Sequence, residues 1–247
     1  MCYNELMKTK PLDVVYFVTA YPASDLRFSI RSVAENLEFN KLWIYGGKNS
    51  DIVPDEYVSL LNQSGADKWA KVLGMYRRVC MNDDITEDFI LFHDDFFVLK
   101  PTKSIEPDWR CSLMSHAEAI EASYGGKPIS YTKLLRKTLS RLGREGHTTK
   151  SYELHQPFVF NRKKMLKILD DYANEHCIRS IYANVYKVGG KQKDDVKIHD
   201  LKCDNIKEIM QEWQFVSTGD QSFAYGQIGK YLKNRFNKRC RFEQSVV

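Results

Sequence analysis

Two unbroken runs of β-branched and aromatic residues, Val14-Val15-Tyr16-Phe17-Val18-Thr19 and Phe89-Ile90-Leu91-Phe92, constrain the fold more than any other feature of the chain. A strand with one face in water alternates apolar and polar side chains. A strand that is apolar at every position has to be covered on both faces, as in a parallel sheet between helices. A third run, Leu42-Trp43-Ile44-Tyr45 within 41–47, ends in a glycine turn at Gly46-Gly47. Between the first and third runs, Leu26, Ile30, Val33 and Leu37 are spaced four, three and four, the stripe of an amphipathic helix. Ser24 or Asp25 is placed to cap that helix, and Arg27 and Arg31 lie one turn apart on another face. Strand, helix and strand in that order form the unit of a doubly wound α/β sheet. Further helices are predicted over 68–80, with Trp69, Val72, Leu73 and Tyr76 inward, and over about 162–174.

With 247 residues the chain can bury one sizeable core, and a single domain over 1–247 is expected. An aromatic content of 13% argues against long disordered tails. The first ten residues lack the apolar core of a secretory signal, and no stretch approaches the ~18 apolar residues of a membrane span. Cys2, Cys80, Cys111, Cys177, Cys203 and Cys240 stand far apart without a C-x-x-C pair. They read as mostly buried thiols of a reducing compartment, so a soluble cytoplasmic protein is expected. The net charge of +5 is mild, but it is unevenly distributed. A helical insert at about 125–150 carries Lys127, Lys133, Arg136, Lys137, Arg141, Arg144 and Lys150 against Glu145 alone, with Leu134, Leu135, Leu139 and Leu142 as its apolar stripe. A basic tail at about 230–247 adds Lys230, Lys233, Arg235, Lys238, Arg239 and Arg241. Such runs are most often solvated faces, yet they permit contact with a polyanion.

The chemistry concentrates where the second long run ends, in His93-Asp94-Asp95. Ligands of open α/β sheets gather at the carboxyl ends of strands. Adjacent acids there repel one another and raise a pKa, or they attract a cation. Asp94 and Asp95 are therefore expected to hold Mg²⁺ or Mn²⁺, which would bridge the diphosphate of a nucleotide donor. Asp220 follows Phe215-Val216-Ser217-Thr218-Gly219, a second strand-to-loop exit where an acid can join the site. His155 is the candidate general base, and Arg27, Arg31 and Arg179 are candidate phosphate ligands. Asp83-Asp84 read as a helix-ending turn and Asp194-Asp195 as a solvated loop.

These residues fall into four blocks that resemble the Stealth family of sugar-phosphate transferases. Asp13-Val14-Val15-Tyr16, 25–32 and Leu42-Trp43-Ile44-Tyr45 look like the first block, and Phe92-His93-Asp94-Asp95-Phe96-Phe97 like the second. His155-Gln156-Pro157 with Arg179 and Ile181-Tyr182 is similar to the third, and 215–222 with Arg241-Phe242-Glu243 to the fourth. The expected fold is a single GT-A/Rossmann-like domain with a mainly parallel central sheet flanked by helices, plus the basic helical insert. The resemblance implies transfer of a hexose-1-phosphate from a nucleotide-sugar, typically a UDP-sugar, onto an acceptor hydroxyl with a divalent metal. Asp94 and Asp95 would serve the metal and diphosphate, Asp220 would be a further acid and His155 the acid/base. Arg27, Arg31, Arg179 and His93 would face the phosphates. His93 stands where the family has Asn, and Val18-Thr19-Ala20-Tyr21-Pro22 replaces the family's Thr-Trp-Val-Asn-Gly. A GT-A-type glycosyltransferase, which breaks the sugar C1–O bond instead of the P–O bond, shares the strand and acidic pair. Its acceptor, or that of the phosphotransferase, can be polyanionic, such as DNA or a cell-surface polymer. A nucleic-acid-binding module without catalysis is the reading from another class.

Overall fold

The computed structural model describes residues 11–18, 24–47, 50–59, 68–172 and 177–244. Thr19 and the loop through 23, the first ten residues with Cys2, the side chain of Trp69 and the helix end expected near Asn174 lie outside them.

The first strand, β1 (Asp13–Val18), is the middle of a five-stranded sheet. Helix α1 (Leu26–Asn36) connects it to β2 (Leu42–Gly46), and β3 (Glu56–Ser59) follows at the edge. Helix α2 (Lys68–Cys80) leads to β4 (Asp88–His93) on the other side of β1. These four strands run parallel. The chain then enters β5 (Phe96–Val98), β6 (Cys111–Ser112), the helix pair α3 (Leu113–Ser123) and α4 (Ser130–Arg144), and β7 (Lys150–Ser151). It returns as β8 (Phe158–Asn161), antiparallel to β4, so the central order is β3-β2-β1-β4-β8. Helices α5 (Arg162–Asp171) and α6 (Ile178–Val185) come next, then β9 (Lys197–Ile198), α7 (Ile206–Glu212), β10 (Phe215–Thr218), α8 (Asp220–Ala224) and α9 (Gln227–Arg235). A second sheet has the order β5-β10-β9. The architecture is thus mixed α/β with a mainly parallel central sheet flanked by helices.

The period of two along β1 explains why every residue of the first run is apolar. Val15 and Phe17 pack with Met75, Tyr76 and Val79 of α2, Ile168 of α5 and Ile181 of α6. Val14, Tyr16 and Val18 face the opposite way, onto Leu26, Ile30 and Val33 of α1 and onto Phe96, Val98 and Phe215 of the second sheet. Each of these strand side chains is almost wholly buried, worth about 1.5–3 kcal/mol apiece relative to exposure. Beneath the second sheet, Phe97 and Val216 meet Phe223, Ile228 and Leu232 of α8 and α9.

Several local expectations are corrected. Asp25 occupies the N-cap position of α1, but its side chain makes no capping bond. Arg31 is not on a solvated face; it is buried, because Glu243 and the chain around 236–237 cover it. Of the cysteines, Cys80 and Cys177 are buried, whereas Cys111, Cys203 and Cys240 are half-buried. In α4, Leu135 and Leu142 are buried against Leu113 and Ala117 of α3, and Leu134 and Leu139 only partly so. Among the described residues no helix is long and apolar enough to cross a membrane.

Candidate active site at the strand ends

Strand β4 is buried from Phe89 to Phe92, and Phe96 already belongs to the second sheet. His93-Asp94-Asp95 therefore sits where the chain passes from one sheet to the other, at the carboxyl ends of β1 and β4. Asp95 is held on several sides. Its Oδ2 accepts from Lys197 Nζ at 2.9 Å and Ser217 Oγ at 2.7 Å, and its carbonyl accepts from Thr218 N at 3.2 Å. Burial alone would raise the Asp95 pKa; the nearby charges of Lys197 and His93 and those hydrogen bonds bring it below the ordinary range.

Asp94 is in the opposite condition. Burial and then the negative charges of Asp25, Asp95 and Asp220 push its pKa up to about 7. Asp25, at the start of α1, is raised to about 6 by burial and, among the neighbouring charges, by Asp95 and Asp220. Asp220 is exposed in the first turn of α8, near enough to act on both. Asp25, Asp94, Asp95 and Asp220 thus lie close enough for their charges to act on one another. Lys197 neutralises Asp95, while neither Asp94 nor Asp25 has an ion-pair partner among the described residues.

His93 packs against the rings of Phe17 and Phe96, with centroids 6.3 and 5.1 Å away. Burial lowers its pKa to about 4, so at neutral pH it offers the site an uncharged ring. His155 precedes β8, and its Nδ1 lies 2.8 Å from Asp195 Oδ2. This corrects the reading of Asp195 as solvated. Its carboxylate takes His155 N at 2.9 Å, Val196 N at 2.9 Å and Arg110 Nη1 at 3.0 Å, and its side chain is 13% exposed. Burial would raise the Asp195 pKa, but the hydrogen bond and charge of His155 outweigh it and hold the group at about 2.

The three arginines are differently engaged. Arg27 pairs with Asp51 and stands 3.7 Å from Glu243. Arg31 makes a two-pronged pair with Glu243, both contacts at 2.7 Å, and donates to the Phe236 and Asn237 carbonyls. Arg179 is buried and donates to the Leu154 and Gln156 carbonyls at 2.5 and 3.1 Å, one on each side of His155. Asp83 pairs with Arg162 in the turn after α2.

Among the described residues, no group of three or more His, Cys, Asp or Glu side chains is arranged to hold a metal. The donor chemistry of Asp94 and Asp25 still suits Mg²⁺ or Mn²⁺: carboxylate oxygens, mutually repelling, without a cation of their own. Mg²⁺ keeps several waters and is commonly bound through one or two carboxylates plus substrate phosphates, so a full protein cage is not required. Sequence reasoning missed Asp25, Asp195, Lys197 and Ser217 as members of the site. Lys197 had one readable signal, the apolar residues alternating with it in Val196-Lys197-Ile198.

No family model matches the chain, and no curated protein matches it. The Stealth resemblance therefore stands on its four blocks alone. Among solved structures, the chain is similar to the apo form of the glycosyltransferase GlyE from Streptococcus pneumoniae TIGR4. The identity is 10% and the TM-score 0.39, over 93% of this chain and 61% of that one. A second GlyE structure gives 9% identity and a TM-score of 0.31, over 93% of this chain and 50% of that one. The third is a glycosyltransferase involved in the glycosylation of the major capsid of PBCV-1, at 10% identity and TM-score 0.36, over 91% of this chain and 98% of that one. The chain thus spans about half to three fifths of the GlyE length.

Proposed function

We propose that the protein is a metal-dependent transferase that moves a sugar from a nucleotide-sugar, a UDP-sugar first among them, onto an acceptor hydroxyl. One observation carries this reading: Asp94 and Asp25, beside the carboxyl ends of the parallel strands, are held above the ordinary carboxylate range by burial and by the charges of Asp95 and Asp220, and neither has a cation partner among the described residues. A divalent cation with a diphosphate is the ligand that relieves such a cluster. Asp94 with Asp25 would hold the ion, which supplies charge stabilisation for the departing phosphate oxygens. Asp95, fixed by Lys197 and Ser217, would orient the donor, and exposed Asp220 would lie toward the acceptor. His155 takes the acceptor proton as the acceptor oxygen bonds to sugar C1; the C1–O bond to the nucleoside diphosphate breaks and the diphosphate leaves.

Transfer of hexose-1-phosphate is the second reading, favoured by the four-block pattern. Two of the phosphate ligands which that pattern implies, Arg31 and Arg179, are committed to Glu243 and to backbone carbonyls, which weighs toward transfer of the sugar. Incubation with Mg²⁺ or Mn²⁺ and a panel of nucleotide-sugars, with hydroxyl acceptors, separates the two. Release of the nucleoside diphosphate is expected. Release of the monophosphate would select the second reading, and release of neither across the panel would overturn both.

A further inference from the structure

We infer that Asp195 is the positioning residue of the transfer step: it fixes His155 as the Nδ1–H tautomer and leaves Nε2 as the atom that accepts the acceptor proton. This deepens the transferase reading and rests on it for the identity of the step.

The argument is one of hydrogen-bond supply. Asp195 Oδ1 accepts two backbone N–H groups, those of His155 and Val196, both at 2.9 Å. Backbone donors cannot change role, so that oxygen is fixed as an acceptor. Oδ2 faces His155 Nδ1 at 2.8 Å and Arg110 Nη1 at 3.0 Å. An ionised carboxylate only accepts, so Nδ1 has to carry a proton, and in the neutral ring Nε2 has none. Arg179 braces the same segment by binding the carbonyls on either side, Leu154 and Gln156. The His155 side chain is 42% exposed, so the ring is clamped along one edge while the rest remains accessible to a substrate. Glu153, the nearest acid in sequence, is occupied at the start of α6, where it accepts from Ser180 N and Oγ. Asp194 is exposed and so provides an adjacent control.

The same geometry specifies the informative substitution. In Asp195→Asn the amide oxygen is drawn to the two backbone donors, which cannot turn away, whereas the Arg110 side chain, 35% exposed, can swing to water; this places the NH₂ against His155 Nδ1. The ring can accept there only by moving its proton to Nε2, which removes the base while keeping the fold. With isotope-labelled histidine, nitrogen NMR at a pH where the ring is neutral should show Nδ1–H in the wild type and Nε2–H in Asp195→Asn. Kinetically, Asp195→Asn and His155→Ala should each lower kcat roughly 10²–10⁴-fold. The double variant should be no slower than the worse single one, because the two residues act as a unit. The dissociation constant for the donor nucleotide should stay within about twofold, and Asp194→Asn should match the wild type.

An Nε2–H ring in the wild type overturns the inference, whatever the activity. So does an Asp195→Asn variant with wild-type kcat, one whose losses multiply with those of His155→Ala, or one that loses donor binding as well. A wild-type protein that releases no nucleotide from any donor would sink the transferase reading, while the ring's tautomer would still report on Asp195.

Discussion

Two adjacent residues, Asp94 and Asp95, share a backbone turn and yet titrate in opposite directions, because Lys197 and Ser217 reach one and not the other. The consequence for stability has a definite sign. A carboxyl whose pKa is higher folded than unfolded favours the folded state when protonated, so its contribution is lost as pH rises from the ordinary range near 3.8 to about 7. Asp94→Asn removes that penalty. In the metal-free protein at pH 7.5 it should be more stable than wild type by about 1–3 kcal/mol, with the gap closing as pH falls toward 4. Denaturant titrations at several pH values would show it; a variant less stable than wild type at pH 7.5 would contradict the assignment. Millimolar Mn²⁺ should raise the wild-type melting temperature and leave Asp94→Asn unmoved, as binding to the folded state alone requires. Lys197→Met has the reverse character. It strands the partly buried Asp95 carboxylate, whose side chain is 16% exposed, and should cost on the order of 2–4 kcal/mol at neutral pH by the same denaturation measurement.

At the scale of elements, the site depends on how β5 is fixed, since that strand begins one residue after Asp95. It is an edge strand, and an unpaired edge leaves backbone groups without partners. Helix α1 supplies them from its polar residues: Ser32 Oγ accepts from Val98 N at 3.0 Å, Asn36 Nδ2 donates to Val98 O at 3.0 Å, and Ser29 donates to Phe96 O. Ser32→Ala leaves the buried Val98 N–H without its partner and should cost about 1–3 kcal/mol, read by chemical denaturation; a loss under half of that would mean the edge is satisfied elsewhere. At the other strand end, Gly46 has φ +124°, and a Cβ there would lie 2.0 Å from the Val18 carbonyl, so β2 can turn beside β1 only with glycine. Much of this frame was legible. The runs at 14–18, 42–45 and 89–92 became β1, β2 and β4, and the stripe of Leu26, Ile30 and Val33 became the inner face of α1. Helix α2 took the predicted span of 68–80. What escaped was polar. Ser29, Ser32 and Asn36 look like solvent residues in a hydrophobic pattern, because periodicity records burial of carbon and is blind to a helix that serves as a hydrogen-bonding edge. Asp195 escaped for a related reason: it lies 40 residues from His155, and only the return of the chain beside β10 brings them together. Strands of two or three residues such as β5 and β6 carry too few positions to show alternation at all.

For the whole molecule, the net charge of +5 invites the question whether a polyanion is its acceptor. The two basic segments answer to different neighbours. Helix α4 packs with α3 and α6, and α6 belongs to the face of the central sheet that carries α2 and α5. The tail beyond α9 folds back to the opposite face, where Phe242 packs with Ile30 and Ile52 among the residues around α1. Among the described residues, the two basic stretches thus lie toward opposite faces of one sheet and do not form a single track. Many of the cations are also engaged at home. Arg136 pairs with Glu121, Arg141 with Glu145, Arg235 with Glu35 and Arg241 with Asp55, while Lys150 lies over the Trp109 ring and Lys233 donates to the carbonyls of Phe223 and Ala224. A surface that lines up six or more phosphates would release as many counterions, with an affinity falling steeply in salt. This protein should engage few. Titrating a labelled DNA duplex by fluorescence anisotropy between low and moderate salt, the slope of log K against log salt should be shallower than about −3. Added duplex should likewise leave nucleotide release from the donor unchanged. A slope of about −6 or steeper would require a continuous basic surface that these pairings do not provide, and it would favour a polyanionic acceptor.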